Sequence, residues 1–207
     1  MNVLSRIISY VFHPLLMGTY LFLTMAFVLP AGLYPISAES QLTFVALYFV
    51  MSFALPALML SMLKFLGSVK SLTMEERKDR VFPFFMILVL YITFTWMLTY
   101  QSRAGFDDNV FKFILIVDAL VLVSFLITLF YKVSVHAIGI AGLAGILLPL
   151  NQQSDNQVLF WVTIGVVLLA GVVMSARLQL HAHTPRQVLV GALTGLLIGF
   201  FGVILQF

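Results

Sequence analysis

Seven long apolar stretches constrain what this chain can fold into more than any other feature of its sequence. Hydrophobic residues fill 62% of the 207 positions and charged residues only 9%, against roughly a quarter charged in a soluble globular domain. Most stretches have about the 20 residues that a helix needs to cross a bilayer. They run over Ile8–Leu29, Leu42–Leu66, Val81–Tyr100, Val110–Tyr131, Ala137–Leu150, Val158–Ala176 and Val188–Leu205.

These stretches predict an all-α integral membrane protein, a polytopic bundle of about six to seven transmembrane helices. The fifth stretch is short, and its helix could begin as early as Val133. We find no linker, low-complexity tract or internal repeat in the sequence, so residues 1–207 are expected to form a single transmembrane domain. We expect the chain in a bacterial inner membrane, surrounded by membrane lipids and without a nucleic acid partner.

Polar residues concentrate in three loops that the alternation of the spans puts on one face of the membrane. The loops follow spans two, four and six, and they contain Lys70–Arg80, Lys132–His136 and Arg177–Gln187. A site assembled from these three loops is geometrically feasible. The chain has no cysteine, which leaves histidine, serine, lysine, arginine and carboxylates to carry any chemistry.

Each of these loops contains reactive residues at a defined spacing. The motifs are Lys70-x6-Arg77, Ser134-x-His136 and Arg177-x5-His183-x3-Gln187. Their order, spacing and common face resemble the type 2 phosphatidic acid phosphatase superfamily, whose signature is Lys-x6-Arg-Pro, then Pro-Ser-Gly-His, then Ser-Arg-x5-His-x3-Asp. The match covers residues 70–187. The main departure is Gln187, which stands where the family has aspartate.

The resemblance implies a fold like that of these phosphatases and a metal-independent hydrolase that uses no cofactor. Its substrate would be a phosphomonoester or diphosphate of a lipid. His183 would attack phosphorus and form a phosphohistidine, His136 would protonate the leaving alkoxide, and Gln187 would orient the imidazole of His183. Four residues would bind the phosphate: Lys70, Arg77, Ser134 and Arg177. Arg80 is the alternative to Arg77, because Pro83 follows Arg80 closely.

The local sequence around two of the histidines is typical of helix starts. Thr184 is a good N-cap and Pro185 a good first helical residue, and Ser134 and His136 open span five. Helix N-termini present free N–H groups and a positive dipole end. Two of them facing one pocket would favour a bound anion, which agrees with the basic residues nearby.

Other interpretations of the same residues stay open. A zinc site could be built from His13, His136, His181 and His183, although no acidic ligand lies in a clear pattern with them. His13–Pro14 could instead mark a kink in span one. The basic loop before span three could simply contact anionic lipid headgroups.

The function also has alternatives of another class. A protein that keeps the anion pocket but has lost turnover through Gln187 would bind or transport phospholipid. A small transporter could use Asp118, which lies inside span four and must be neutral, paired or in a wet cavity. Finally, Gly191, Gly195 and Gly199 are spaced for close helix contact, either between spans five and seven or in a homodimer.

Overall fold

The computed structural model describes residues 3–69, 71, 76–102 and 108–207, with the backbone alone for 101 and 102. Lys70, one of the predicted phosphate-binding residues, lies outside the described residues. Within the described ranges every long element is a helix and no strand is present. The α-helices are α1 Val3–Val11, α2 Met17–Val28, α3 Ala38–Phe49, α4 Leu55–Phe65, α5 Lys78–Ser102, α6 Asn109–Phe130, α7 Val135–Gln152, α8 Gln157–Gln179 and α9 Pro185–Gln206.

Seven segments of the described chain are long and apolar enough to cross a membrane. The first combines α1 and α2, the second combines α3 and α4, and each helix from α5 to α9 supplies one more. The fifth begins at Val135 and reaches 18 residues, because its helix extends beyond the short apolar stretch at both ends. The chain is therefore an integral membrane protein made of helical spans, as the apolar stretches predict.

Prolines account for the irregular turns in the first two spans. Proline has no N–H to donate, and its ring clashes with the preceding turn of a helix. A 3₁₀ turn over Pro14–Leu16 separates α1 from α2, as the interpretation of His13–Pro14 as an interruption of span one expects. In span two, a π-helical turn over Val50–Ala54 joins α3 to α4 just before Pro56.

Helices α7 and α9 pack backbone against backbone. A Cβ added to any of three α9 glycines would collide with a carbonyl oxygen at the start or in the body of α7. A Cβ on Gly191 would lie 2.6 Å from the carbonyl oxygen of Ser134. A Cβ on Gly195 would meet the carbonyl oxygen of Ile138, and one on Gly199 would meet that of Gly142. Small residues permit this approach between membrane helices. The predicted packing of spans five and seven is confirmed, and α7 covers this glycine face of α9.

The interior of the bundle differs between its two halves. In the half farther from the polar loops, aromatic rings fill the core. The ring centroid of Tyr48 lies 4.4 Å from that of Phe22 and 5.8 Å from that of Phe94, and all three side chains are buried. In the half nearer the polar loops, the helices surround a cavity, which positions the candidate site.

Asp118 lies within α6, at the level of the filled half. Its Oδ2 accepts a hydrogen bond of 2.6 Å from the hydroxyl of Thr95 on α5. A polar group inside a membrane span is costly unless a partner satisfies it. Asp118 has that partner in Thr95, so it is one of the paired polar groups that the sequence analysis allows.

Candidate functional site

The cavity lies where the N-terminal ends of α5, α7 and α9 meet the C-terminal end of α8. Its polar wall is formed by five side chains from different parts of the chain: His13, Arg80, His136, Arg177 and His183. The rest of the wall is mainly leucine, isoleucine, valine and phenylalanine from α2 and from α4 to α7. The arrangement is a cluster of cations and imidazoles at the head of an apolar chamber.

Hydrogen bonds at the start of α9 fix the tautomer of the neutral His183 ring. Its Nδ1 lies 3.2 Å from Oε1 of Gln187, and the backbone N–H of Thr184 donates to the same oxygen at 3.2 Å. The second bond identifies this amide atom as oxygen, because an N–H cannot donate to an NH₂ group. His183 Nδ1 therefore donates, and in the neutral ring the proton-free nitrogen is Nε2.

Gln187 has this position because it belongs to a capping box. The hydroxyl of Thr184 accepts from the Gln187 N–H at 3.3 Å, while the Gln187 side chain accepts from the Thr184 N–H. Thr184 as N-cap and Pro185 at the first helical position confirm the predicted start of α9. The same two bonds that cap the helix thus fix the carbonyl that orients His183.

The surroundings of His183 keep its imidazole neutral. Its pKa is lowered from 6.5 to about 4 by burial, by the nearby Arg80 and, more weakly, by Arg177 and Lys132. The hydrogen bond that His183 donates to Gln187 acts in the opposite direction. A charged imidazolium is disfavoured both by lost solvation and by the neighbouring cations. At neutral pH His183 therefore offers an uncharged Nε2 with its lone pair available.

Arg177 is anchored at one nitrogen and unsatisfied at another. Its Nη1 donates to the hydroxyl of Ser9 on α1 at 3.2 Å. Its Nε is buried and has no hydrogen-bond partner among the described residues. Buried N–H donors are almost always paired in native proteins, so this one has the character of a donor that requires an acceptor from a ligand.

The other histidines of the cavity are also held by the first span. Nε2 of His136 lies 3.1 Å from the carbonyl oxygen of Ser9, and since a carbonyl only accepts, this nitrogen carries a proton. The ring of His13 meets that of His136 edge-on, with centroids 5.6 Å apart. His13 Nδ1 accepts from the N–H of Leu15 at 3.3 Å, so its proton is on Nε2.

Ser9 was missed by the sequence interpretation, although it contacts both Arg177 and His136. Its hydroxyl also donates to the carbonyl of Ser5 at 2.9 Å, and Ser5 donates to Oε1 of Gln179 on α8 at 2.7 Å. Two serines four residues apart on a mainly apolar helix lie on the same helix face and form a polar stripe. That spacing, next to the polar face of the membrane, is the signal that could have indicated this role.

The structure distinguishes the two arginines proposed for the first motif. Arg80 is buried on the cavity wall, and its Nη1 lies 3.4 Å from the Val133 carbonyl. Arg77 instead donates to the carbonyls of Thr128, at 3.3 Å, and of Leu129. These carbonyls belong to the last turn of α6, where a cation is favoured by the helix dipole. The alternative residue, Arg80, is thus the one that faces the cavity.

Ser134 lies beside the site and is not among the residues that line the cavity. It is fully buried, and its hydroxyl accepts from the N–H of Ala137 at 3.4 Å as the N-cap of α7. Its own N–H donates to the backbone carbonyl of Gln187 at 3.3 Å. Ser134 therefore ties the start of α7 to the start of α9, which keeps His136 and His183 on neighbouring helix ends.

The four histidines considered as a zinc site do not all come together. His181 is exposed near the start of the loop between α8 and α9 and has a backbone φ of 51°. In the part of the chain that the structure describes, no three histidine, aspartate or glutamate side chains are grouped as ligands for a metal ion.

Comparison of the chain with family models, with curated proteins and with solved structures finds no match.

Proposed function

We propose that this chain is a membrane lipid phosphate phosphatase that hydrolyses a phosphomonoester or diphosphate of a lipid through a phosphohistidine. The observation that carries the proposal is the geometry at His183. Gln187 and Thr184 leave its neutral Nε2 available, beside Arg80 and Arg177, at the head of an apolar chamber. A nucleophile, fixed cations and a site for a hydrocarbon chain are then combined in one cavity.

The charges around the cavity suit a phosphate group. Phosphoryl transfer is catalysed mainly by positioning the phosphate and by stabilising charge on its non-bridging oxygens. Arg80 and Arg177 supply cations, and Arg177 Nε is a buried donor without an acceptor among the described residues. The starts of α7 and α9 add the positive ends of two helix dipoles.

The proposed reaction has two steps. Nε2 of His183 attacks phosphorus, a nitrogen–phosphorus bond forms, and the bond from phosphorus to the leaving oxygen breaks. His136 gives the leaving alkoxide a proton. Because Nε2 of His136 already donates to the Ser9 carbonyl, Nδ1 is the nitrogen that relays this proton, which it takes up from the monoanionic phosphate group of the bound substrate. Water then attacks the phosphohistidine and releases inorganic phosphate.

The resemblance supports the same assignment for His136, Arg177 and His183 of the second and third motifs, whereas Arg80 takes the place of Arg77 of the first motif at the cavity. Its three motifs occur in the family order on one face of the membrane, and two intervening spans between the first and second motifs preserve that sidedness. The proposal accordingly includes a fold of the type 2 phosphatidic acid phosphatase kind and a location in a bacterial inner membrane. The substrate's phosphate would meet the cations while its chain enters the apolar chamber.

A second candidate is favoured by one observation. Gln187 is neutral, so it orients His183 without the negative charge that would stabilise an imidazolium-like intermediate. A charged partner makes a hydrogen bond stronger by roughly 1 to 1.5 kcal/mol. On this view the chain binds or transports a phospholipid in the same cavity and turns it over slowly or not at all.

The test is inorganic phosphate release from a panel of lipid phosphates by the purified, detergent-solubilised protein, with EDTA present. We expect release that His183→Asn abolishes and that His181→Asn retains. The pair is matched, because His181 is an exposed histidine two residues away and asparagine tolerates its left-handed backbone.

Full turnover in His183→Asn would refute the phosphohistidine mechanism. Absence of release from every lipid, together with a phospholipid that copurifies with the wild-type protein and is lost from His183→Asn, would establish the binding or transport role instead.

A further inference from the structure

The apolar chamber ends inside the membrane, and this end is closed by packed side chains. Along α5, the wall runs from Arg80 at the polar head to Tyr91. Tyr91 is 6% exposed, and its hydroxyl donates to the Ser52 carbonyl at 3.2 Å. Ser52 needs this donor because Pro56, four residues later, has no N–H to offer. The Tyr91 side chain is therefore held in place on the deep part of the chamber wall.

On the opposite wall, the aromatic core lies directly behind a lining residue of α2. Gly18 of α2 lines the chamber, and a Cβ added there would lie 2.7 Å from the hydroxyl oxygen of Tyr48. Tyr48 in turn packs against Phe22 and Phe94. The aromatic core that fills the farther half of the bundle thus begins directly behind the chamber, and a chain that enters from the polar head meets it.

The depth of the chamber follows from helix geometry. Arg80 and Tyr91 are eleven residues apart along α5, which corresponds to about 16 Å, since an α-helix rises about 1.5 Å per residue. An extended hydrocarbon chain advances about 1.25 Å per carbon, because bonds of about 1.5 Å meet at about 111°. The chamber therefore matches a chain of roughly 13 carbons whose phosphate contacts the arginines.

We infer that this chamber selects its lipid phosphate by chain length, and that Tyr91 is the residue that sets the limit. The inference rests on the proposed function in one respect, because its ligand is a lipid phosphate. Chains up to the limit gain apolar burial with every added carbon. Longer chains must bend back or leave part of their length outside, so binding stops improving.

Two substitutions change the limit in opposite directions. Tyr91→Ala removes the ring that closes the chamber, and we expect the optimum to move to longer chains by roughly four carbons. Val117→Phe adds a ring to the deep wall, where Val117 is 8% exposed, and we expect a move to shorter chains by roughly two carbons. The second variant fills space, so it tests the idea even if the first does not fold.

The experiment uses a series of straight-chain alkyl phosphonates, which cannot be hydrolysed, at fixed detergent concentration. A ligand that binds the folded state raises the melting temperature, so the shift is measured for each chain length. Tyr100→Ala is the matched control, because Tyr100 lies on the same helix but is exposed on its outer surface. We expect its optimum to equal that of the wild type.

The outcomes separate this inference from the proposed function. A wild-type optimum near the expected length that moves in both variants supports the chain-length limit, whether or not alkyl phosphates are hydrolysed in a parallel assay. Stabilisation that rises steadily with chain length, identically in all four proteins, overturns the limit even if hydrolysis is observed. Hydrolysis alone decides whether the chain is a phosphatase.

Discussion

At the scale of single residues, the site depends on which nitrogen of each histidine carries a proton. The carbonyl oxygen of Gln187 fixes the His183 proton on Nδ1, and the carbonyl oxygen of Ser9 fixes a His136 proton on Nε2. His183 is thereby left with a proton-free Nε2, whereas the Nε2 proton of His136 is used in a hydrogen bond to Ser9. Substitutions at these two acceptor residues test the assignment most directly.

Replacing Gln187 by glutamate should raise the rate of phosphate release by about tenfold. The carboxylate keeps both hydrogen bonds of the capping box, where glutamate is a usual residue, and its negative charge is favoured at a helix N-terminus. It also stabilises the positive imidazole of the intermediate. Gln187→Asn, which is neutral and too short for the capping box, is the control; equal rates for Gln187→Glu and wild type would show that charge at this position does not limit turnover.

The pH dependence of activity follows from the lowered pKa of His183. Only the neutral imidazole can attack phosphorus, and its pKa is about 4, so the rate should not fall near pH 6.5, where an ordinary histidine is protonated, but only near pH 4. In Gln187→Glu, the added negative charge raises the pKa of His183, and the acid limb should move to higher pH. Rates measured from pH 3.5 to 8 check both statements; an unchanged limb in the variant would argue against His183 as the titrating group.

Ser9→Ala should weaken binding of the phosphate more than it slows the chemical step. Alanine removes the hydroxyl that holds Arg177 but keeps the backbone carbonyl that holds His136. Loss of one hydrogen bond to a charged group corresponds to a rise in KM of roughly tenfold, with kcat changed much less. Ser61→Ala on the exposed face of α4, where the serine only bonds its own helix, should leave both constants unchanged.

At the scale of elements, the close contact of α7 with α9 holds His136 and His183, the two histidines proposed to be catalytic, at fixed positions. His136 is the second residue of α7, and His183 precedes α9 by two residues. The N–H of Ser134, the N-cap of α7, donates to the backbone carbonyl of Gln187 in the first turn of α9. A glycine contact far down the helices therefore bears on the geometry of the site.

Gly195→Ala should lower both stability and activity. Its Cβ would collide with the Ile138 carbonyl of α7, and overpacking of this kind costs about 1 to 3 kcal/mol, or several degrees in melting temperature for a chain of this size. Gly171→Ala on α8 meets nothing within 4 Å and should be neutral or slightly stabilising, because alanine favours a helix over glycine. Equal melting temperatures for the two variants would contradict the packing described for α9.

At the scale of the whole molecule, the features that could be predicted were those with a local cause. Apolar length determines a membrane span, Pro14 breaks a helix, Thr184 and Pro185 start one, and regularly spaced glycines permit close packing. Each of these signals lies within a few consecutive turns of the chain. The seven spans, the kink in span one and the contact of spans five and seven are accordingly visible in the sequence.

The features that could not be predicted depend on how distant segments meet. The sequence favours Arg77 and offers Arg80 as the alternative. In the structure Arg77 contacts the last turn of α6, and Arg80 lines the cavity. The role of Ser9 depends on α1 lying against α8, since its partner Arg177 is 168 residues away.

The division of the bundle into a hollow and a filled half gives Asp118 a structural role. Its partner Thr95 lies one helical turn beyond Tyr91 on α5, farther from the polar loops, so Asp118 belongs to the packed side of the chamber's end. Asp118→Asn keeps an acceptor for Thr95 and removes a charge that is costly inside a membrane. We expect unchanged phosphate release and a melting temperature that is equal or higher. Thr95→Val, which leaves the carboxyl group without its donor, should lower the melting temperature instead. If Asp118→Asn abolished a substrate or proton flux in vesicles while leaving stability intact, the carboxyl group would have to act in transport, and the filled half would not be purely structural.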